Sequence, residues 1–115
     1  MEIIIYHNPR CKKSRAGLTH LQSFTQDFKV IEYLKTGISQ DEIKTLLSLS
    51  GLNIMDLIRK QEDIYKKELK GKDFTEEIWI EKISENPKLL QRPFVIKDKK
   101  AILGDPSENI NSLFK

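Results

Sequence analysis

Glu2-Ile3-Ile4-Ile5-Tyr6-His7-Asn8-Pro9-Arg10-Cys11 decides the fold. Its first half is a continuous β-branched and aromatic run, the pattern of a central strand buried on both faces. His7-Asn8-Pro9 then stops it, because Asn-Pro favours a turn and proline cannot continue a central strand. From Cys11 onward the period becomes helical. Ser14, Leu18, Leu21 and Phe24 or Thr25 recur at helical spacing, with Leu18 and Leu21 expected inward. Phe28 to Tyr33 reads as a second strand. Strand, helix and strand in close succession form a βαβ unit, which implies a parallel pair with a right-handed crossover.

Outward from that unit the middle of the chain reads as helical. Ser39-Gln40-Asp41-Glu42 matches a capping box, in which Ser39 and Glu42 satisfy each other's backbone donors. Ile43, Leu46 and Leu47 supply an apolar face, and Gly51 suits the residue just past the helix end. Asn53 is placed to cap another helix through Ile54, Leu57 and Ile58, ending near Arg59-Lys60. Lys66 to Asp73 is charged and glycine-bearing, so a solvated loop is expected. Thr75 caps a further helix through Ile83, with Phe74 and Trp79 spaced as a hydrophobic staple, and Asn86-Pro87 ends it.

The last part returns to strands. Phe94-Val95-Ile96 and Ala101-Ile102-Leu103 flank Lys97-Asp98-Lys99-Lys100, the pattern of a hairpin whose turn type is left open by the missing glycine. Ser107 to Phe114 reads as a short closing helix with Ile110, Leu113 and Phe114 apolar. The order βαβ, helices, ββα is that of an α/β thioredoxin-like fold with a helical insertion at about 39–90 between its halves, although other α/β sandwiches share the string.

The chemistry is expected at Cys11. It follows a buried strand and a turn and begins a helix, where backbone N–H groups lack intrahelical partners. Those groups and the helix dipole favour a thiolate over a thiol. Lys12, Lys13 and Arg15 open the helix at the end where the dipole prefers anions, and with Arg10 they add positive potential around the sulfur. His7 is close enough in sequence to donate a hydrogen bond. An inert buried thiol would want apolar neighbours, and these are charged.

The chain has 115 residues, 38% hydrophobic and 32% charged, with a net charge of +3. That suits one soluble globular domain, 1–115, and is too small a charge to argue nucleic-acid binding. One cysteine excludes an internal disulfide and fits a reducing, cytoplasmic setting. The apolar run at the start is too short for a secretory core or a membrane span.

Ile5-Tyr6-His7-Asn8-Pro9-Arg10-Cys11-Lys12-Lys13-Ser14-Arg15 resembles the active-site segment of the ArsC family of glutaredoxin-coupled arsenate reductases, within the ArsC and Spx superfamily. Leu57-Ile58-Arg59-Lys60, Pro87 through Val95 with its Arg92-Pro93 pair, and Pro106-Ser107-Glu108 continue the likeness in order along nearly the whole chain. The resemblance implies that Cys11 attacks arsenate as a thiolate and that Arg59 and Arg92 hold the oxyanion, since guanidinium forks match tetrahedral oxyanions. It places His7, Ser14 and Arg15 in support, with Ser14 donating near the sulfur, and makes Pro93 a cis proline. Glutathione would be a co-substrate and glutaredoxin a partner, which fits a single cysteine needing an external resolving thiol. No bound cofactor and no metal are implied, and a monomer without membrane or nucleic-acid partners is expected. One departure stands out. The family carries a third arginine just before Pro-Ser-Glu, and this chain has Asp105, whose charge would repel arsenate unless Lys12 or Lys13 compensates.

Two other functions share these residues. One is a glutathione-dependent thiol reductase acting on another electrophile. The other is an Spx-like regulator that docks on RNA polymerase, although many of those carry a second cysteine where this chain has Ser14.

Overall fold

The structure, a computed structural model, describes residues 2–115. Two compact units are distinguished. One runs to Thr36 and resumes from Arg92 to Lys115, and the other is Gly37–Gln91.

The first unit is built on a four-stranded mixed sheet. Strand β1, Ile3–Tyr6, lies inside it, parallel to β2, Lys29–Ile31, and antiparallel to β3, Phe94–Lys97, which pairs in turn with β4, Lys100–Leu103. The order β2-β1-β3-β4 is the expected joining of a βαβ half to a ββα half. Side chains alternate faces along a strand, so Ile3 and Ile5 share a face, and Val95 stands opposite Ile5. On that face they form a core with Leu21 of helix α1, Lys12–Gln22, and with Ile110 and Leu113.

Three elements of this unit differ from the sequence expectation. The second strand is shorter than 28–33. It covers only Lys29–Ile31, and the chain then winds into α2, Tyr33–Thr36. The N–H groups of Lys35 and Thr36 both bond the Glu32 carbonyl, and this turn carries Tyr33 fully into the interior. β2 is an edge strand with Val30 41% exposed, so pairing on one side only sets its length. The hairpin turn is two residues, with Asp98 at φ 58°. Asp tolerates that left-handed conformation better than most residues. The closing segment Ser107–Phe114 is a 3₁₀ helix. Its three-residue period stacks Ile110 directly over Leu113, and both are buried.

In the second unit, α3 spans Gln40–Ser50. The Glu42 N–H donates to Ser39 Oγ at 3.1 Å and the Ser39 N–H to Glu42 Oε1 at 3.0 Å, a closed capping box. Gly51 ends the helix at φ 70°, a conformation glycine adopts without steric cost. Helix α4, Glu76–Glu85, is capped by Thr75, and Phe74 meets Trp79 edge-on at 5.0 Å. The helix expected from Asn53 to Lys60 is a single 3₁₀ turn, Ile54–Leu57. Ile58 is extended and bridges Leu90, and the Gln91 N–H bonds the Leu57 carbonyl at 2.8 Å. Cross-chain pairing therefore replaces helical bonding there. The expected loop 66–73 contains part of a wide π-helical turn, Tyr65–Leu69, with Tyr65 and Leu69 buried and Tyr65 facing Trp79. Among the described residues no helix is long and apolar enough to cross a membrane.

Candidate functional site

The site begins where β1 ends. The His7 N–H still bonds the Ile31 carbonyl at 2.9 Å, which extends the parallel ladder by one residue. Asn8 then organises the break. Its Oδ1 accepts the Arg10 N–H at 3.0 Å, and its carbonyl accepts the Cys11 N–H at 3.1 Å. Asn is suited to this because its short side chain mimics a backbone turn. The result sets Cys11, with extended φ −97° and ψ 123°, at the N-cap of α1.

Position and residue type together define the electrostatics. An N-cap side chain ordinarily offers an oxygen to the N–H groups of the second and third helical residues. Here a sulfur occupies that place, and no acidic residue lies in the first turn. Burial by itself would push the half-exposed Cys11 thiol up. The Ser14 N–H, a hydrogen bond from the Arg92 guanidinium, the Lys13 N–H and the Arg92 charge outweigh that, so the thiol is held below its ordinary value. These donors stabilise the anion, which is the nucleophilic form.

Ser14 is fully buried. Its hydroxyl lies 2.7 Å from His7 Nδ1 and accepts the Asn8 N–H at 2.9 Å. The serine proton is then best used on Nδ1, which assigns the imidazole proton to Nε2. The hydroxyl thus braces the turn, and the group that Ser14 directs at the sulfur is its main-chain N–H. His7 is also buried. Desolvation lowers its pKa and outweighs the nearby Glu32 carboxylate, so the ring stays neutral at neutral pH.

Arg92 is 7% exposed at the entry to β3. The Arg92–Pro93 bond is cis, and the Pro93 carbonyl accepts the Gly104 N–H at 2.7 Å. Three other cations have partners of their own. Arg15 donates from Nη1 to the Pro9 carbonyl at 3.0 Å and so ties the turn to the helix. Lys13 Nζ lies 3.3 Å from Asp105 Oδ2. Arg59, in the unit Gly37–Gln91, is ion-paired with Glu62. Asn8, Asp105 as a partner of Lys13, and Glu62 are the polar residues whose parts sequence reading missed. For Asn8 the signal was present, since an Asn before Pro is a turn former with a side chain free to bond.

Among the described residues no group of three or more His, Cys, Asp or Glu side chains is placed to hold a metal. What the arrangement offers is a partly accessible thiol, held below its ordinary pKa, beside a buried guanidinium. It can attack an electrophilic centre and hold negative charge developing there.

Comparison with known proteins agrees in kind. The ArsC family model matches residues 6–113. The chain is 36% identical over 114 residues to an arsenate reductase of Neisseria meningitidis serogroup A, covering 97% of each chain. It is 38% identical over 111 residues to the uncharacterized protein YfgD of Escherichia coli, covering 95% of this chain and 93% of the relative. Among solved structures, the arsenate reductase from Vibrio cholerae matches with a TM-score of 0.92 at 35% identity, covering 98% of both chains.

Proposed function

The chain belongs to the ArsC family and has its thioredoxin-like α/β fold, and from that premise we propose that it reduces arsenate, with Cys11 as the attacking thiolate and glutathione with glutaredoxin as the source of electrons. The observation that carries this reading is the place of Cys11 at the N-cap of α1, where the Ser14 and Lys13 N–H groups and the Arg92 guanidinium favour the anion.

The Cys11 sulfur forms a bond to arsenic, and an arsenate oxygen leaves as water. Arg92 offsets the charge on the remaining oxygens, because a guanidinium fork matches such an anion. For Arg59 the same role is proposed from the resemblance alone, and it requires the guanidinium to exchange or share its Glu62 partner. An incoming glutathione thiolate then attacks the Cys11 sulfur, and the sulfur–arsenic bond breaks with its electron pair going to arsenic. Arsenite departs, leaving a Cys11–glutathione disulfide, which a second glutathione thiol, acting through glutaredoxin, reduces to release Cys11. In balance, one arsenate and two glutathione thiols give one arsenite, one glutathione disulfide and one water. The presence of one cysteine supports an external second thiol.

The test is arsenite formation from arsenate, glutathione and glutaredoxin, with Cys11→Ser beside it. Turnover that Cys11→Ser abolishes supports the assignment. Glutathione-disulfide exchange at Cys11 without any arsenite would overturn it in favour of another electrophile.

A further inference from the structure

Pro93 has a neighbour that the chemistry above does not use. Gly17 lies on the inward face of α1, between buried Ser14 and buried Leu21. A Cβ added there would run into Pro93 Cγ and come within 3.2 Å of both Pro93 Cδ and the Gly104 carbonyl oxygen. Glycine is a poor helix former, so its place in the middle of α1 needs a reason. The packing supplies one, because the helix backbone rests directly on the proline ring. Gly104 presses the same ring from another side. A Cβ there would lie 3.2 Å from Pro93 Cγ and 3.0 Å from Ile110 Cδ1. The clasped ring belongs to the residue that follows Arg92.

We propose that Gly17 is a positioning residue for Cys11: carrying no side chain, it lets α1 settle on Pro93, and that close approach sets the reach of Arg92 to the sulfur. This rests on reading Cys11 as the working thiolate. The Lys13 and Ser14 N–H groups belong to α1 and move with the sulfur, whereas Arg92 belongs to the strand side and does not. A displaced α1 therefore takes the arginine away from the sulfur and leaves it the backbone donors. Loss of Gly17 and loss of Arg92 should act on sulfur ionisation as one event, not two.

The experiment is the rate of iodoacetamide alkylation of Cys11 against pH, for the wild type, Gly17→Ala, Arg92→Ala and the double variant. The exposed α1 substitution Thr19→Ala serves as a helix control. Gly17→Ala should move the profile to higher pH and slow alkylation at neutral pH by roughly threefold to tenfold. The double variant should be no slower than Arg92→Ala, and Thr19→Ala should match the wild type. A folded Gly17→Ala with the wild-type profile overturns the proposal, and so do losses that multiply in the double variant. If Gly17→Ala does not fold, Gly104→Ala decides. It crowds the same ring more gently, and a shift in the same direction supports the proposal, whereas an unshifted profile overturns it. Sulfur ionisation is read without arsenate, so failure of arsenate turnover and failure of this inference are separate results.

Discussion

Arg92, buried at the entry to β3, acts on the sulfur of Cys11 at the head of α1 and lowers the pKa of its thiol. Neither residue reaches the other through local sequence. β1 leads into the turn that holds Cys11, and its antiparallel register with β3, Tyr6 opposite Phe94, brings the two chain segments together. The anionic sulfur is thus favoured by a full charge from one segment and by main-chain N–H groups of another.

Removing that charge should be felt twice. Arg92→Ala should slow thiol alkylation at neutral pH and lower kcat/KM for arsenate about tenfold to hundredfold, the size of a lost charged hydrogen bond of ~1.5–3 kcal/mol. Arg92→Lys keeps the charge and loses the fork, so it should recover more of the alkylation rate than of kcat/KM. Equal recovery of both would contradict a bidentate role.

His7 predicts a pH signature in stability. Its folded pKa is lowered from 6.5, chiefly by burial, so the unfolded chain binds the proton more readily. Stability is then complete above 6.5 and declines as pH falls through the folded value. In urea titrations between neutral and mildly acid pH, His7→Gln should flatten that decline. A variant with the wild-type slope would assign the acid sensitivity to other groups.

The Lys13–Asp105 pair is largely exposed, with side chains 59% and 37% accessible. Exposed pairs contribute little, so Asp105→Asn should change unfolding free energy by less than ~1 kcal/mol. Freeing the Lys13 ammonium should nevertheless lower KM for an oxyanion at low ionic strength. The gain should fade in high salt as screening sets in. An unchanged KM at low salt would mean that this ammonium is out of reach of the anion.

Ser39 offers the converse case, stability without chemistry. Ser39→Ala opens the capping box with Glu42 and should cost about 1 kcal/mol in denaturant unfolding. The alkylation rate of Cys11 should stay at the wild-type level.

The strand, the turn and the helix start around Cys11 were legible because each has a local cause: β-branching, the Asn-Pro break and a switch of period. Ser39, Thr75 and the Phe74–Trp79 staple were legible for the same reason, since caps are written within a few residues. Segments whose form depends on distant partners were misread. Leu57 and Ile58 pair with the stretch 89–91, and no local period announces such a bridge. Tyr65 and Leu69 are set in a run of charges that hides two buried residues. At the site, the residue types pointed to an ionised thiol, but the bond from Ser14 to His7 depends on a rotamer, and the demand for glycine at position 17 depends on a ring across the sheet.

The hydroxyl of Ser14 is shut between His7 and Asn8, and Cys11 is the one cysteine in the chain. The place where a second thiol would stand is thus occupied by a brace of the turn, and no disulfide can close within this chain. Every disulfide it forms is a conjugate with another molecule. On the proposed function, the supply of free thiols around Cys11 then sets how long it remains capped and how fast the protein cycles.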